Sequence, residues 1–186
     1  LFCMCLRYEA LGCHGHQAAI SPDVFDVLRS HLGVETECFA SPLNAQLRSY
    51  FSAFYDVDAP FGSHGSFFAL ESLKGSFEAN PPFEPELMRA AVDHASALMQ
   101  RADDAGTALS FAFVVPTWES LPFHRLLVES RWRRGTALRL EADMHGFLDG
   151  AQHEKRAESR LRVSSFGTTV CVLQSARGAK KWPVKE

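Results

Sequence analysis

The stretch GSFEANPPFEPELM, residues 75–88, passes from a strand through a rigid bend into a helix without an intervening loop. Two consecutive prolines each fix φ near about −65° and neither donates a backbone hydrogen bond, so a central strand cannot run through them. The strand Gly75–Ala79 therefore stops before Asn80, and Asn80-Pro81-Pro82-Phe83 forms a stiff bend over its carboxyl end. Open α/β sheets bind their ligands at such ends. Glu84 and Pro85 then start a long helix, with Leu87, Met88, Ala91, Val92, Ala95, Leu98 and Met99 on one side and Asp103, Asp104 and Gly106 closing it.

Outward from this unit the same alternation continues. ALSFAFVVP is apolar nearly throughout from Leu109 to Val115, as a strand covered by helices on both faces must be. Upstream, ISPDVFDVLRSHLG predicts a helix with Ser21 as N-cap, Pro22 in the first turn and Gly33 as its stop. VETECFA predicts a strand and SPLN a turn. Leu43, Leu47, Tyr50, Phe51 and Phe54 then follow at helical spacing and predict another helix. YDVDAPFGSHG reads as loop. LPFHRLLVESRWRRG predicts a helix stopping at Gly135, and TALRLEA and GTTVCVLQ predict a final strand pair, antiparallel, flanking a charged loop. The expected architecture is α/β, three-layered, with a mostly parallel sheet and a terminal antiparallel strand pair.

At 186 residues and 46% apolar content, one domain is expected. The opening LFCMCL is too short to span a bilayer and reads as the end of a buried element; with Leu at position 1, the chain is expected to be a fragment of a longer one. Five cysteines without a repeated CxxC spacing fit a reduced, intracellular setting. Cys13, His14 and His16, with Cys3 and Cys5 nearby, match no common zinc spacing, and no metal is expected. The net charge of −3 hides a division: residues 1–119 hold 6 Lys and Arg against 15 Asp and Glu, and residues 120–186 hold 13 against 7. Arg131, Arg133, Arg134, Lys155, Arg156, Arg160, Arg162, Lys180 and Lys181 form either a face for a polyanion or an ordinary solvated surface.

An Asn-Pro-Pro-aromatic bend after a strand is either a plain turn or a site that methylates a conjugated amine. The exocyclic nitrogen of adenine is a poor nucleophile because its lone pair is delocalised into the ring. Two rigid acceptors, the Asn80 side-chain oxygen and the Pro81 carbonyl, would take both amine hydrogens and aim the pair at the methyl of S-adenosylmethionine, while Phe83 stacks on the base. The strand-loop-helix reading of ECFASPLN upstream suits a nucleoside cofactor.

The segments ECFASPLN, FGSHG, GSFEANPPFEPELM, VPTWES, HGFLDGAQH and TTVCVLQ resemble, in order, the phosphorylated-CTD-interacting factor family of cap-specific adenosine N6-methyltransferases. The resemblance implies a Rossmann-like methyltransferase domain that acts on the 2′-O-methyladenosine beside the cap of mRNA, is nuclear, and touches no membrane. It implies Asn80, Pro81, Pro82 and Phe83 as the catalytic motif. Ala40, Ser41, Pro42, Asn44, Asp58, Phe61 and Gly62 are implied for S-adenosylmethionine, with Asp56 as an alternative to Asp58. Trp118, Glu119, His145, Gln152 and His153 are implied for substrate, Trp118 being either a stacking platform or a packed loop residue. The chain departs from the family pattern at His64, at Thr117 and across Gly146–Asp149. The phosphorylated carboxyl-terminal domain of RNA polymerase II is expected to meet regions outside these residues. Open alternatives are another amine target (DNA adenine, an internal RNA adenosine or glutamine) and a non-catalytic domain that binds RNA or polymerase.

Overall fold

The structure is a computed structural model that describes residues 1–10, 18–149 and 160–184. Its elements in order are α1 (Phe2–Ala10), α2 (Pro22–Leu32), β1 (Thr36–Glu37), β2 (Ser49–Tyr50), α3 (Tyr55–Asp58), β3 (Gly75–Ala79), α4 (Pro85–Asp104), β4 (Leu109–Pro116), α5 (Pro122–Val128), β5 (Arg133–Leu140), β6 (Gly146–Leu148), β7 (Leu161–Val163), β8 (Thr168–Gln174) and α6 (Ala176–Lys181).

Six strands form one sheet in the order β2-β1-β3-β4-β8-β5, and β6 and β7 form a separate antiparallel pair. β1 is parallel to β2 and β3, and β3 to β4, while β8 runs antiparallel to both β4 and β5. This is a Rossmann-like methyltransferase architecture, mostly parallel with its reversed strand near one edge. Alternation along the strands separates two cores. Phe77, Ala79, Phe111 and Phe113 pack with Met88, Ala91, Ala95 and Leu98 of α4 and with Phe123 and Leu127 of α5. On the other face, Ala112 and Val114 pack with Phe25, Leu28 and Leu32 of α2 and with Phe147.

The helix signals work locally as expected. Gly33 ends α2 at φ 63°, with its N–H on the Arg29 carbonyl and the Val34 N–H reaching back to Leu28. A Cβ there would also meet the Trp182 indole. Glu84 caps α4 by accepting the Leu87 N–H at 2.8 Å, and Pro85 occupies the first turn.

Five expectations are corrected. The apolar-periodic segment after SPLN is not a helix: Ser49 and Tyr50 form β2 beside β1. Its neighbouring N–H groups at Gln46 and Leu47 go to the Glu37 carboxylate, and Tyr50 of this edge strand and Phe51 just past it are both buried. YDVDAPFGSHG is not all loop, since α3 is followed by a 3-10 turn over Ala59–Phe61. The helix expected to stop at Gly135 ends at Val128, and Gly135, φ 67°, lies where the β5–β8 register shifts. Trp132 is held by its Nε1–H on Asp103 at 2.8 Å, which turns the chain into β5. Finally, α1 buries only Met4 and Tyr8; Leu1, Phe2 and Leu6 are exposed. The charged loop before β8 also contains β6 and β7, and Ala19 pairs with Leu148 through two backbone hydrogen bonds of 3.0 and 2.7 Å.

Candidate active site

From β1 the chain adds β2 on one side and β3, then β4, on the other, so strand order reverses at β1 and a crevice opens between the carboxyl ends of β1 and β3. A cavity of about 260 Å³ occupies it. Cys38 to Ser41 and Asn44 form its floor, Ser52 to Phe54 one wall, and Phe67 and Phe68 another. Asn80, Pro82 and Leu87 close it from the bend, and Tyr8 and Ala18 from the amino-terminal segments. The lining is chiefly apolar.

The floor is held by local hydrogen bonding. Asn44 Oδ1 accepts the Ser41 N–H at 2.7 Å and the Ser41 hydroxyl at 3.0 Å, and the Ser41 Oγ in turn accepts the Leu43 N–H. Short polar side chains favour such turns because they satisfy the backbone without a ladder partner. Ala40 is tied to β2's end by its N–H on the Phe51 carbonyl, 2.9 Å.

Asn80 is buried, and its amide is oriented by Nδ2 donating to the Ala18 carbonyl at 3.0 Å. Its Oδ1 is buried with no partner among the described residues. Such an orphan acceptor costs about 1–3 kcal/mol unless something donates to it, which marks it for a ligand. The Pro81 carbonyl likewise accepts no hydrogen bond among the described residues. Phe83 is half-buried and clamped edge to face by Phe147 and Phe166, with ring centres 5.6 and 5.4 Å away.

Beneath the crevice lie two buried carboxyl groups, Glu37 on β1 and Glu78 on β3, directly paired in register. Burial pushes Glu37 from its ordinary 4.5 up to about 7, although its carboxylate accepts the Gln46 and Leu47 N–H groups. Burial, then the charge of Glu37, raises Glu78 well above the usual carboxylate range. Asp58 is fully buried and accepts the Tyr8 hydroxyl at 2.6 Å.

Of the residues expected for the cofactor, Ala40, Ser41 and Asn44 line the cavity; Pro42, Phe61 and Gly62 do not, and Asp58 stands behind Tyr8. Asp56 is exposed and paired with Arg7. Among the residues expected for substrate, Trp118 packs on the α4–α5 core, edge to face with Phe123. Glu119 is ion-paired with Arg139. His145 uses both ring nitrogens, on the Glu141 carbonyl and the Thr168 hydroxyl. Gln152 and His153 lie outside the described residues, as do Cys13, His14 and His16. Among the described residues no group of three or more His, Cys, Asp or Glu is placed to hold a metal, and no helix is long and apolar enough to cross a membrane.

The three departures have local explanations. His64 bonds Ser49, and Thr117 bonds Thr169. Leu148 contributes its backbone to Ala19, a contact indifferent to side-chain identity. Sequence reading missed Tyr8, Ala18, Phe54, Phe67 and Phe68, because apolar residues lining a cavity carry the same signal as apolar residues filling a core.

A family profile described as "Phosphorylated CTD interacting factor 1 WW domain" matches residues 1–150. The chain belongs to that family. The matched residues include every described side chain that lines the crevice. Two curated relatives extend the likeness of this phosphorylated-CTD-interacting factor chain through β8. Each is named mRNA (2'-O-methyladenosine-N(6)-)-methyltransferase; the Homo sapiens protein is 37% identical over 190 residues and the Mus musculus protein 38%. Each alignment covers 98% of this chain and 26% of the relative, so the chain spans about a quarter of the length of the curated relatives it matches.

Proposed function

We propose that residues 1–186 are a methyl-transfer domain of a longer protein, one that methylates N6 of the 2′-O-methyladenosine beside the mRNA cap with S-adenosylmethionine as donor. The observation that carries the reading is the buried Asn80 Oδ1, without a partner among the described residues, on an amide whose Nδ2 donates to the Ala18 carbonyl at the lip of an apolar cavity. The names of the relatives supply the substrate.

Asn80 Oδ1 and the Pro81 carbonyl take the two hydrogens of the adenine amine, which draws the nitrogen lone pair out of conjugation and fixes its direction. Phe83, held by Phe147 and Phe166, supports the base by stacking. The apolar walls, with Ala40, Ser41 and Asn44 at the floor, suit the donor's nucleoside, and Tyr8 backed by Asp58 sets an oxygen acceptor at its edge. When bound, S-adenosylmethionine supplies an electrophilic methyl whose leaving group departs as a neutral thioether, so no acid is required of the protein. As the N–C bond forms and the C–S bond breaks, the surplus amine proton is lost to water.

The test is transfer of labelled methyl by the longest available protein to RNAs that begin with capped 2′-O-methyladenosine, uncapped adenosine or capped guanosine. Incorporation confined to the first is expected. Equal labelling of uncapped adenosine, DNA adenine or a glutamine peptide would replace this substrate, and binding of RNA without donor binding would replace catalysis. A nuclear location and a contact with phosphorylated polymerase tail, made by regions outside this chain, belong to the same proposal; cell fractionation that finds the full-length protein only in cytoplasm would remove both.

A further inference from the structure

The basic carboxyl-terminal third is not one face. Arg162 lies on β7, whose partner β6 carries Phe147 to Phe83 of the bend that closes the crevice, and it is paired with Asp149. Arg131, Arg133, Arg134, Arg177, Lys180 and Lys181 lie at the opposite end. β5 runs in the direction of β4, so its first residues stand beside the amino terminus of β4, and β8 runs the other way and delivers α6 to the same end. One carboxylate fastens the two segments: Asp103 accepts the Trp132 Nε1–H at 2.8 Å and the Ala176 N–H at 2.7 Å.

These six cations make no ion pair with any described residue, whereas Arg7, Arg29, Arg89, Arg125, Arg139 and Arg162 each have a carboxylate. The acids nearby are already engaged. Asp103 holds two neutral donors, Asp104 is bonded by Gln100, and Glu129 is paired with Arg125. Two of the cations sit on partly exposed indoles: the Arg131 guanidinium is 4.2 Å from the Trp132 ring centre and the Lys181 ammonium 4.4 Å from that of Trp182.

We propose that this end of the sheet is a binding surface for single-stranded RNA, separate from the methyl-transfer crevice. Uncompensated charge supplies counterion release, and the exposed Arg131 guanidinium laid on Trp132 supplies a flat cationic face on which a base stacks without sequence preference. An acidic or phosphorylated peptide would use the charge and leave that stacking face idle, which favours RNA. The eight residues of β4 span about 26 Å, so this surface meets RNA remote from the modified nucleotide. The choice of RNA as polyanion rests on the proposed function; the cationic surface does not.

The test is fluorescence anisotropy of a labelled uridine-only RNA of about 16 nucleotides, the upper end of single-strand site sizes, titrated with the full chain at several salt concentrations and no methyl donor. The triple variant Arg177→Glu, Lys180→Glu, Lys181→Glu is expected to bind at least about tenfold more weakly and to lower the log K against log salt slope by about 2, at about 0.7 per lost phosphate contact. It should leave methyl transfer to a short capped RNA unchanged. If the triple variant shifts the unfolding midpoint, Lys181→Gln alone must still lower the slope by about 0.7. Failure of the parent to bind, variants that bind like the parent, or tighter binding of a phosphopeptide than of RNA would overturn the proposal. RNA binding with this slope but no methyl transfer would instead count against the catalytic reading alone.

Discussion

Asn80 shows how one side chain is committed by its two ends. One hydrogen of its amide goes to the Ala18 carbonyl, which turns its oxygen toward the cavity, where it has no partner among the described residues. Replacement by alanine removes the acceptor and the tether together. Asn80→Ala is expected to lower kcat by at least about a hundredfold, comparable to losing one positioned hydrogen bond at a reacting centre. Donor affinity should change by less than about threefold; activity within threefold of the parent would remove Asn80 from the reacting centre. At Phe83, truncation to alanine is expected to weaken transition-state stabilisation by roughly 1–3 kcal/mol through lost stacking, measured as kcat/KM on the capped adenosine substrate. Tyr8→Phe leaves the fully buried Asp58 without the hydroxyl that it accepts, and urea unfolding should show a loss of about 1–3 kcal/mol. An unchanged denaturation midpoint would show that Asp58 draws its compensation elsewhere.

At the scale of elements, α4 is the support on which the bend rests. Its first turn supplies Leu87 to the cavity, and the Leu87 N–H is held by the Glu84 side chain. Glu84→Ala should cost about 1 kcal/mol of stability by exposing that N–H at the helix start, whereas Glu84→Asp, still a capping acceptor, should recover most of it. The start of α4 was legible because capping and proline are local signals. β2 was not: i, i+3 and i+4 spacing in Leu43, Leu47, Tyr50 and Phe51 imitates a helix, and the competing fact, an unpaired edge on β1, is supplied by residues remote in sequence. The end of α5 failed for the same reason, since the turn at Trp132 is decided by Asp103, 29 residues away.

For the whole molecule, the pair of buried carboxyl groups beneath the crevice links folding to pH. A carboxyl whose folded pKa is raised binds protons on folding, so its contribution is fully present below the unfolded value. It is lost as pH rises through the folded one. For Glu37 that window runs from about 4.5 to about 7, with a limiting slope of about 1.4 kcal/mol per pH unit, and Glu78, also raised by burial, adds a loss of the same sign. Glu37→Gln keeps an acceptor for the Gln46 and Leu47 N–H groups but carries no proton to lose. Its unfolding midpoint is expected to equal the parent's near pH 4, below that window, and to exceed it near pH 8. Parallel curves across that range would show that the pair does not titrate on unfolding.

The sequence by itself determined the strand, the proline bend and the helix of residues 75–104, the ends of α2, the buried β4 and the mostly parallel class of the sheet. Each rests on φ restriction, capping or apolar periodicity within a few neighbouring residues. The tertiary structure alone decided that Asn80 keeps an oxygen unpartnered among the described residues, since only the fold brings Ala18 to its other end. It made Tyr8 and Phe67 cavity walls rather than core, and it carried α6 to the end of the sheet away from the crevice. Those outcomes depend on contacts between residues distant along the chain, and local chemistry does not specify such contacts before the sheet has formed.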